Sequence, residues 1–318
     1  MPNFYGSDID DIVVGGFTAY YPGYGNDHIF GDASSEVMYG GDGDDQLISG
    51  AGDDYLDGGR GNDLLDGGAG DDLLIGGDGN DIYIVDGFSD VVREAAGGGV
   101  DTVLATGSFS LRSREDIEIL STADATGTSA IDLFGNDVAQ KITGNAGANV
   151  MNGFGGTDRL NGLAGNDRLL GGADDDYLDG GVGNDVVIGG WAGQGGIDFM
   201  RGGAGNDTFV FDVRPSFGNL GRISDFSRVS DTIQLDPIAF RGVHGVLDPM
   251  PGEFRSRLLD PDAFVVGRKA LDAEDRIIYD RTTGNLFYDV GGSGGEAAVK
   301  FAVLLNKPVL TASEFAVF

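Results

Sequence analysis

From Gly40 to Ile84 the chain repeats every nine residues: GGDGDDQLI, SGAGDDYLD, GGRGNDLLD, GGAGDDLLI and GGDGNDIYI follow one another without a break. All five keep the spacing of G-G-x-G-x-D-x-U-x, where U is a large apolar residue, with Ser49 in the first glycine position of the second copy. So short a period cannot bury an apolar face within one copy, so successive copies must stack into a solenoid that shares one core. The triplet x-U-x suits a short strand that sends only its central side chain inward, because alternate strand residues face opposite sides. Two copies then make one turn of 18 residues, and every second copy lies on the same side.

The register reaches beyond the clean copies. PGYGNDHIF (22–30) and GDASSEVMY (31–39) extend the first array to 22–84, and GSDIDDIVV (6–14) precedes it out of phase. The period resumes at Gly144 with GNAGANVMN, GFGGTDRLN, GLAGNDRLL, GGADDDYLD and GGVGNDVVI. A longer copy around Trp191, GGWAGQGGIDFMR, and GGAGNDTFV then end the second array at Val210. The expected buried stripe is Leu47, Leu56, Leu65, Leu74 and Tyr83, then Leu160, Leu169, Leu178, Val187, Met200 and Phe209.

Each polar position has a task. Glycine tolerates the positive φ of a tight turn and lets carbonyls approach an ion. Gly41, Gly43, Gly50, Gly52, Gly59, Gly61, Gly68, Gly70, Gly77 and Gly79 hold these places in the first array, and Gly165, Gly172, Gly181 and Gly183 in the second. Aspartate at the sixth position supplies the hard oxygen that calcium prefers. Stacking every 18 residues places Asp27, Asp45, Asp63 and Asp81 on one edge, with Glu36, Asp54 and Asp72 on the other. In the second array Asn149, Asp167, Asp185 and Asp207 share an edge, opposite Asp158, Asp176 and Asp198.

Charge points the same way. Residues 22–84 hold 15 acidic groups against Arg60, and 144–210 hold 9 against 3, so the arrays supply -20 of the net -32. Stacked carboxylates repel one another, so the compact state needs counter-ions. About ten calcium ions would neutralise this excess. Without them, so acidic and glycine-rich a chain is expected to be unfolded.

These repeats resemble the RTX family, the hemolysin-type calcium-binding repeat proteins exported by bacterial type I secretion. The resemblance implies an all-β fold, a right-handed parallel β-roll with calcium on the sixth-position aspartates. It also implies a partner, the type I ABC exporter, during export. After Val210 the repeat is lost and β-prone runs take over: ISDF (223–226), DTIQL (231–235), DRIIYD (275–280), GNLFYDV (284–290) and AVKFAVL (298–304). The ending LTASEFAVF resembles the uncleaved export signal of that family. The expected organisation is an N-terminal β edge (1–21), the first array (22–84), a metal-poor β spacer (85–143), the second array (144–210) and a cap carrying the export signal (211–318).

Other chemistries lack their residues. Repeats starting near residue 6 leave no room for a preceding catalytic domain, and H-E-x-x-H is absent. The two histidines, His28 and His244, have no ligand or triad pattern around them. GGSGG (291–295) fits G-x-S-x-G, but no histidine follows Ser293 to complete a triad. No EF-hand loop is present, and a net charge of -32 excludes nucleic acid. With no cysteine, no apolar leader near Met1 and no apolar run of 18 residues, neither a Sec signal nor a membrane span is read. Weak calcium sites would stay empty in a cytosol, which places the protein outside the cell or on its surface. Tyr20, Tyr21, Tyr24, Trp191 and Phe199 are candidate glycan contacts. The expected function is that of a secreted, non-enzymatic calcium-binding protein that folds on meeting calcium, with a surface, matrix, adhesion or host-interaction role. The alternatives are the repeat and secretion module of an RTX enzyme, or a calcium-dependent membrane-active protein.

Overall fold

The computed structural model describes residues 3–190, 196–216, 218–243, 245–246, 257–293 and 297–317. Trp191, His244, Gly294, Gly295 and the terminal Phe318 lie outside the described residues. The chain divides into two compact units, Met1–Gly153 and Phe154–Phe318.

In the first unit the chain alternates between two parallel sheets. One contains Asn3–Tyr5, Ala19–Tyr21, Val37–Asp42, Tyr55–Arg60, Leu73–Asp78 and Val91–Arg93. The other runs from Ile12–Val14 through His28–Phe30, Gln46–Ile48, Leu64–Asp66 and Ile82–Val85 to Thr102–Ala105, Ile119–Thr122 and Lys141–Thr143. The register is that of the repeat: Met38 pairs with Leu56 and Leu56 with Leu74, while Gly41 pairs with Gly59 and Gly59 with Gly77. Identical positions therefore stack. Pairing out of step by one residue would turn every apolar side chain to solvent.

The stacked central residues are the core. Met38, Leu47, Leu56, Leu65, Leu74 and Tyr83 are all fully buried. Each such side chain contributes roughly 1.5–3 kcal/mol relative to exposure. Past Ile84 the turns lengthen, and a third short parallel sheet begins with Phe109–Ser110 and Leu133–Phe134. Val92, Val103, Phe109, Ile117, Leu120, Leu133 and Ile142 keep the interior apolar there.

The second unit repeats the plan. Arg159–Asn161, Tyr177–Val182, Ile197–Ala204 and Leu220–Ile223 form one parallel run. Arg168–Gly172, Val186–Gly190, Thr208–Phe211 and Thr232–Leu235 form another. Leu160, Leu169, Leu178, Val187, Met200 and Phe209 fill the space between, none more than 1% exposed. The four extra residues around Trp191 leave the register intact, since Leu178 pairs with Met200 and Gly181 with Gly203.

Beyond the repeats the pairing changes character. Val299–Leu304 joins Leu220–Ile223 in parallel and then Asn285–Tyr288 antiparallel, which in turn pairs antiparallel with Ile277–Asp280. Phe315–Val317 pairs in parallel with Thr232–Leu235 and antiparallel with Arg257–Leu259. Thr311 begins the turn before it with a capping box to Glu314. Each of the five β-prone runs after Val210 contributes to a strand or, at Phe226, to the core.

Leu65 pairs with Leu47 on one side and Tyr83 on the other. Leu65→Ala should therefore lower the stability of the calcium-saturated protein by about 2–5 kcal/mol. Leu64→Thr, on the outer face of the same strand, should stay within about 0.5 kcal/mol. Denaturant unfolding at saturating calcium measures both.

Candidate metal centre: two ladders of buried carboxylates

The sixth position immediately precedes a strand, and there the side chain is fixed from the backbone. The amide N–H of Asp27 donates to Asp45 Oδ1 at 2.7 Å, that of Asp45 to Asp63 Oδ1 at 2.8 Å and that of Asp63 to Asp81 Oδ1 at 2.8 Å. On the other edge Glu36 donates to Asp54 Oδ1 and Asp54 to Asp72 Oδ1, at 2.7 and 2.9 Å. In the second unit Asp158 donates to Asp176, Asp176 to Asp198, Asp167 to Asp185 and Asp185 to Asp207, over 2.8–3.2 Å. One oxygen of each accepting carboxylate thus ties a turn to the one before it.

The other oxygen points inward. Oδ2 of Asp27, Asp45, Asp54, Asp63, Asp72, Asp81, Asp176, Asp185 and Asp207, and Oε2 of Glu36, are buried without a hydrogen-bond partner. A buried anionic oxygen without a donor is costly, so a row of them calls for cations or protons. Beside most of these oxygens the space is kept open by the first glycine of the copy. A Cβ on Gly40 would collide with Asp45 Oδ2, and one on Gly58 with Asp63 Oδ2.

The second and fourth glycines shape the opposite wall. Gly41 and Gly43 have φ of 117° and 142°, and Gly59 and Gly61 have 104° and 126°. A Cβ on Gly59 would strike the Gly41 carbonyl, and one on Gly61 the Gly43 carbonyl. Gly50, Gly52, Gly68, Gly70, Gly77, Gly79, Gly165, Gly172, Gly181 and Gly183 are likewise left-handed. Phe154, Leu163 and Asp174 occupy equivalent positions and adopt φ of 71–75° despite their Cβ atoms. The stack imposes this conformation at the cost of local strain.

A cation would therefore find an all-oxygen environment of paired carboxylates beside closely stacked turn carbonyls. That donor set fits calcium and offers none of the nitrogen or sulfur that zinc selects. Without a cation the carboxylates hold protons. Burial, with nearby carboxylates adding to it, raises Asp45 and Asp185 to about 6, Asp63, Asp72 and Asp198 to about 7, and Asp176 to about 8. The N–H that each accepts acts in the opposite direction.

The ladders also extend outside the two arrays. Asp11 begins one edge, its N–H donating to Asp27 Oδ1. Asp90 accepts from Asp72, and Asp231 from Asp207. These two end their ladders self-sufficiently: Asp90 Oδ2 accepts the N–H groups of Asp86 and Gly87, and Asp231 Oδ2 accepts that of Ser227. Asp101 accepts from Asp81 but leaves Oδ2 buried and unpartnered. Asp11 and Asp90 keep the nine-residue frame, whereas Asp101 and Asp231 follow lengthened turns.

Where the sixth residue is an amide, the chemistry changes. Gln140 and Asn149 are buried, and their NH₂ groups donate to Asn136 Oδ1 and to the Ile131 carbonyl. An amide carries its own donor, so it closes the turn without a cation. Among the aromatic candidates, Tyr20 is in the core. Tyr21 is stacked between Tyr5 and Tyr39 at 5.2 and 5.0 Å, and Phe199 is stacked on Tyr177 at 5.1 Å. His28 is exposed beside Gln46, 2.9 Å away. No helix among the described residues is long and apolar enough to cross a membrane.

These features define a calcium-binding parallel β-roll. The RTX calcium-binding nonapeptide repeat matches the sequence over residues 23–92 and 134–212, in overlapping segments. Over these residues the chain carries RTX calcium-binding nonapeptide repeats. The extracellular lipase LipA from Serratia marcescens aligns over 91% of this chain and 40% of its own, at 17% identity and a TM-score of 0.24. This chain spans two fifths of that lipase's length. No curated protein matches the sequence at a significant level.

The raised carboxylates fix the sign of the pH dependence. They are protonated in the metal-free fold at a pH where the unfolded chain, with aspartates near 4, is ionised. The metal-free fold thus loses stability as pH rises from about 4 to about 8 and regains it on acidification. Calcium must displace those protons, so its midpoint should rise as pH falls from 8 to 6. Calcium titrations followed by far-UV circular dichroism at each pH test this; coincident midpoints would contradict it.

Proposed function

We propose that this protein is a secreted calcium-responsive β-roll whose folding is triggered by extracellular calcium, and that calcium binding is its direct activity. The observation that carries the reading is the row of buried, unpartnered carboxylate oxygens from Asp27 to Asp81 and at Asp176, Asp185 and Asp207. The proposed ligands are Asp27, Asp45, Asp54, Asp63, Asp72, Asp81, Asp158, Asp167, Asp176, Asp185, Asp198 and Asp207, completed by carbonyls of the second and fourth glycines. About ten ions would offset the -20 of the two arrays. Residues 85–143 act as a metal-poor spacer, which the amide Gln140 favours.

Export fits the same physics. Calcium is scarce in a cytosol, so the arrays stay charged and unfolded there, as passage through a type I exporter requires. Phe315, Ala316 and Val317 at the proposed signal are buried in a sheet. The exporter can read them only before folding, and folding outside then hides the signal. A surface, matrix or adhesion role, with a glycan among the possible ligands, is the accompanying biological proposal.

In EDTA at pH 7.5 the chain should give a disordered far-UV spectrum, and about 10 mM calcium should convert it to a β spectrum. Calorimetry should count several ions per chain. A spectrum unchanged by calcium, or fewer than about four ions, would overturn the reading.

A further inference from the structure

The last calcium-type turn of the first array differs from all before it. Leu73, Leu74 and Ile75 pair with Val91, Val92 and Arg93, so Glu94 stacks one turn above Gly76. It takes the place that glycine holds at Gly40, Gly58 and Gly76 on this edge. Glycine is required there because a Cβ would meet the aspartate five residues on, as Gly58 would meet Asp63. From Glu94 to Asp101 the distance is seven residues, and that longer loop makes room for a side chain.

The room is filled by a third carboxylate. One carboxylate oxygen from each of Asp81, Glu94 and Asp101 lies within 4.8 Å of the others, and all three residues are buried. Asp81 and Asp101 are each 1% exposed, and Oδ2 of both lacks a partner. The Tyr83 hydroxyl donates to Glu94 Oε1, which also accepts the Gly77 N–H at 3.2 Å. Tyr83 stands where Leu47 and Leu65 stand in the preceding turns of the same sheet. None of the described ion pairs reaches the cluster. Three buried carboxylates with two orphaned oxygens and no basic partner require positive charge.

We propose that Asp81, a sixth-position ligand, forms with Glu94 and Asp101 a three-carboxylate hard-cation site, which fills before the other nonapeptide sites and anchors the end of the first array. This rests on the calcium reading of the ladders and adds to it a site with a residue the repeat does not specify. A repeat site draws on a pair of sixth-position carboxylates, whereas this one offers a third, and affinity for calcium rises with ligand charge. The opposite edge shows the contrast: Asp90 ends its ladder with both oxygens satisfied by N–H donors. A net charge of -3 also suits a trivalent lanthanide better than the repeat sites do, and Tyr83 lies close enough to sensitise terbium emission.

The test uses the full chain, stripped of metal, titrated with terbium and separately with calcium. In the wild type, the first ion per chain should bind at least about tenfold tighter than the rest, with tyrosine-sensitised emission at the first terbium equivalent. Glu94→Gln should remove this tight class while leaving the later ions in place. Glu94→Gly, which restores the residue of the repeat, should fold at saturating calcium and show the same loss, so the outcome does not depend on the glutamine variant folding. Tyr83→Phe should abolish the early emission. Variant titrations superimposable on the wild type would overturn the proposal while leaving the repeat sites standing. A wild type that binds no calcium would overturn the broader reading instead.

Discussion

The structure depends on one hydrogen bond repeated turn after turn: the backbone N–H of a sixth-position residue donates to the carboxylate one turn later. In the first array it spans 18 residues, between Asp27 and Asp45 and again between Asp45 and Asp63. It fixes where each carboxylate sits and which oxygen is spent. The remaining oxygen is forced into the interior, and the molecule's electrostatics follow from it. A neutral acceptor in that place would hold the turn equally well but would leave nothing for a cation.

That distinction separates the stretches of the roll. Where aspartate stands, the buried oxygen must be matched by a metal or a proton. Where Gln140 or Asn149 stands, the side chain brings its own donors and the turn is complete. Asp90 and Asp231 reach the same result by drawing N–H groups from the turn just before them. The demand for a cation is thus a local property set by a single side chain per turn, carried on an apolar core.

Much of this was legible because the period is short and strict. The glycine, aspartate and apolar positions assign each residue to a turn, a ladder or the core, and the stripe from Leu47 to Tyr83 is fully buried as the pattern requires. Legibility fails where the period stretches. Asp101 and Asp231 follow turns of 20 and 24 residues, and no fixed spacing points to them. Tyr20, one of the candidate glycan contacts, pairs with Met38 inside the roll. No spacing in the sequence marks Glu94, because its place is set by stacking on Gly76.

The sequence by itself determined the solenoid, its register through the first array, and the residues that face each other across a turn. Periodicity does this because stacking is the sole way for such short copies to share a core. The tertiary structure decided which oxygen of each carboxylate is free, how the ladders end, and that Tyr83, Glu94 and Asp101 converge on Asp81. Those outcomes turn on loop lengths and side-chain directions over distances of a few ångströms, which a one-dimensional repeat does not encode.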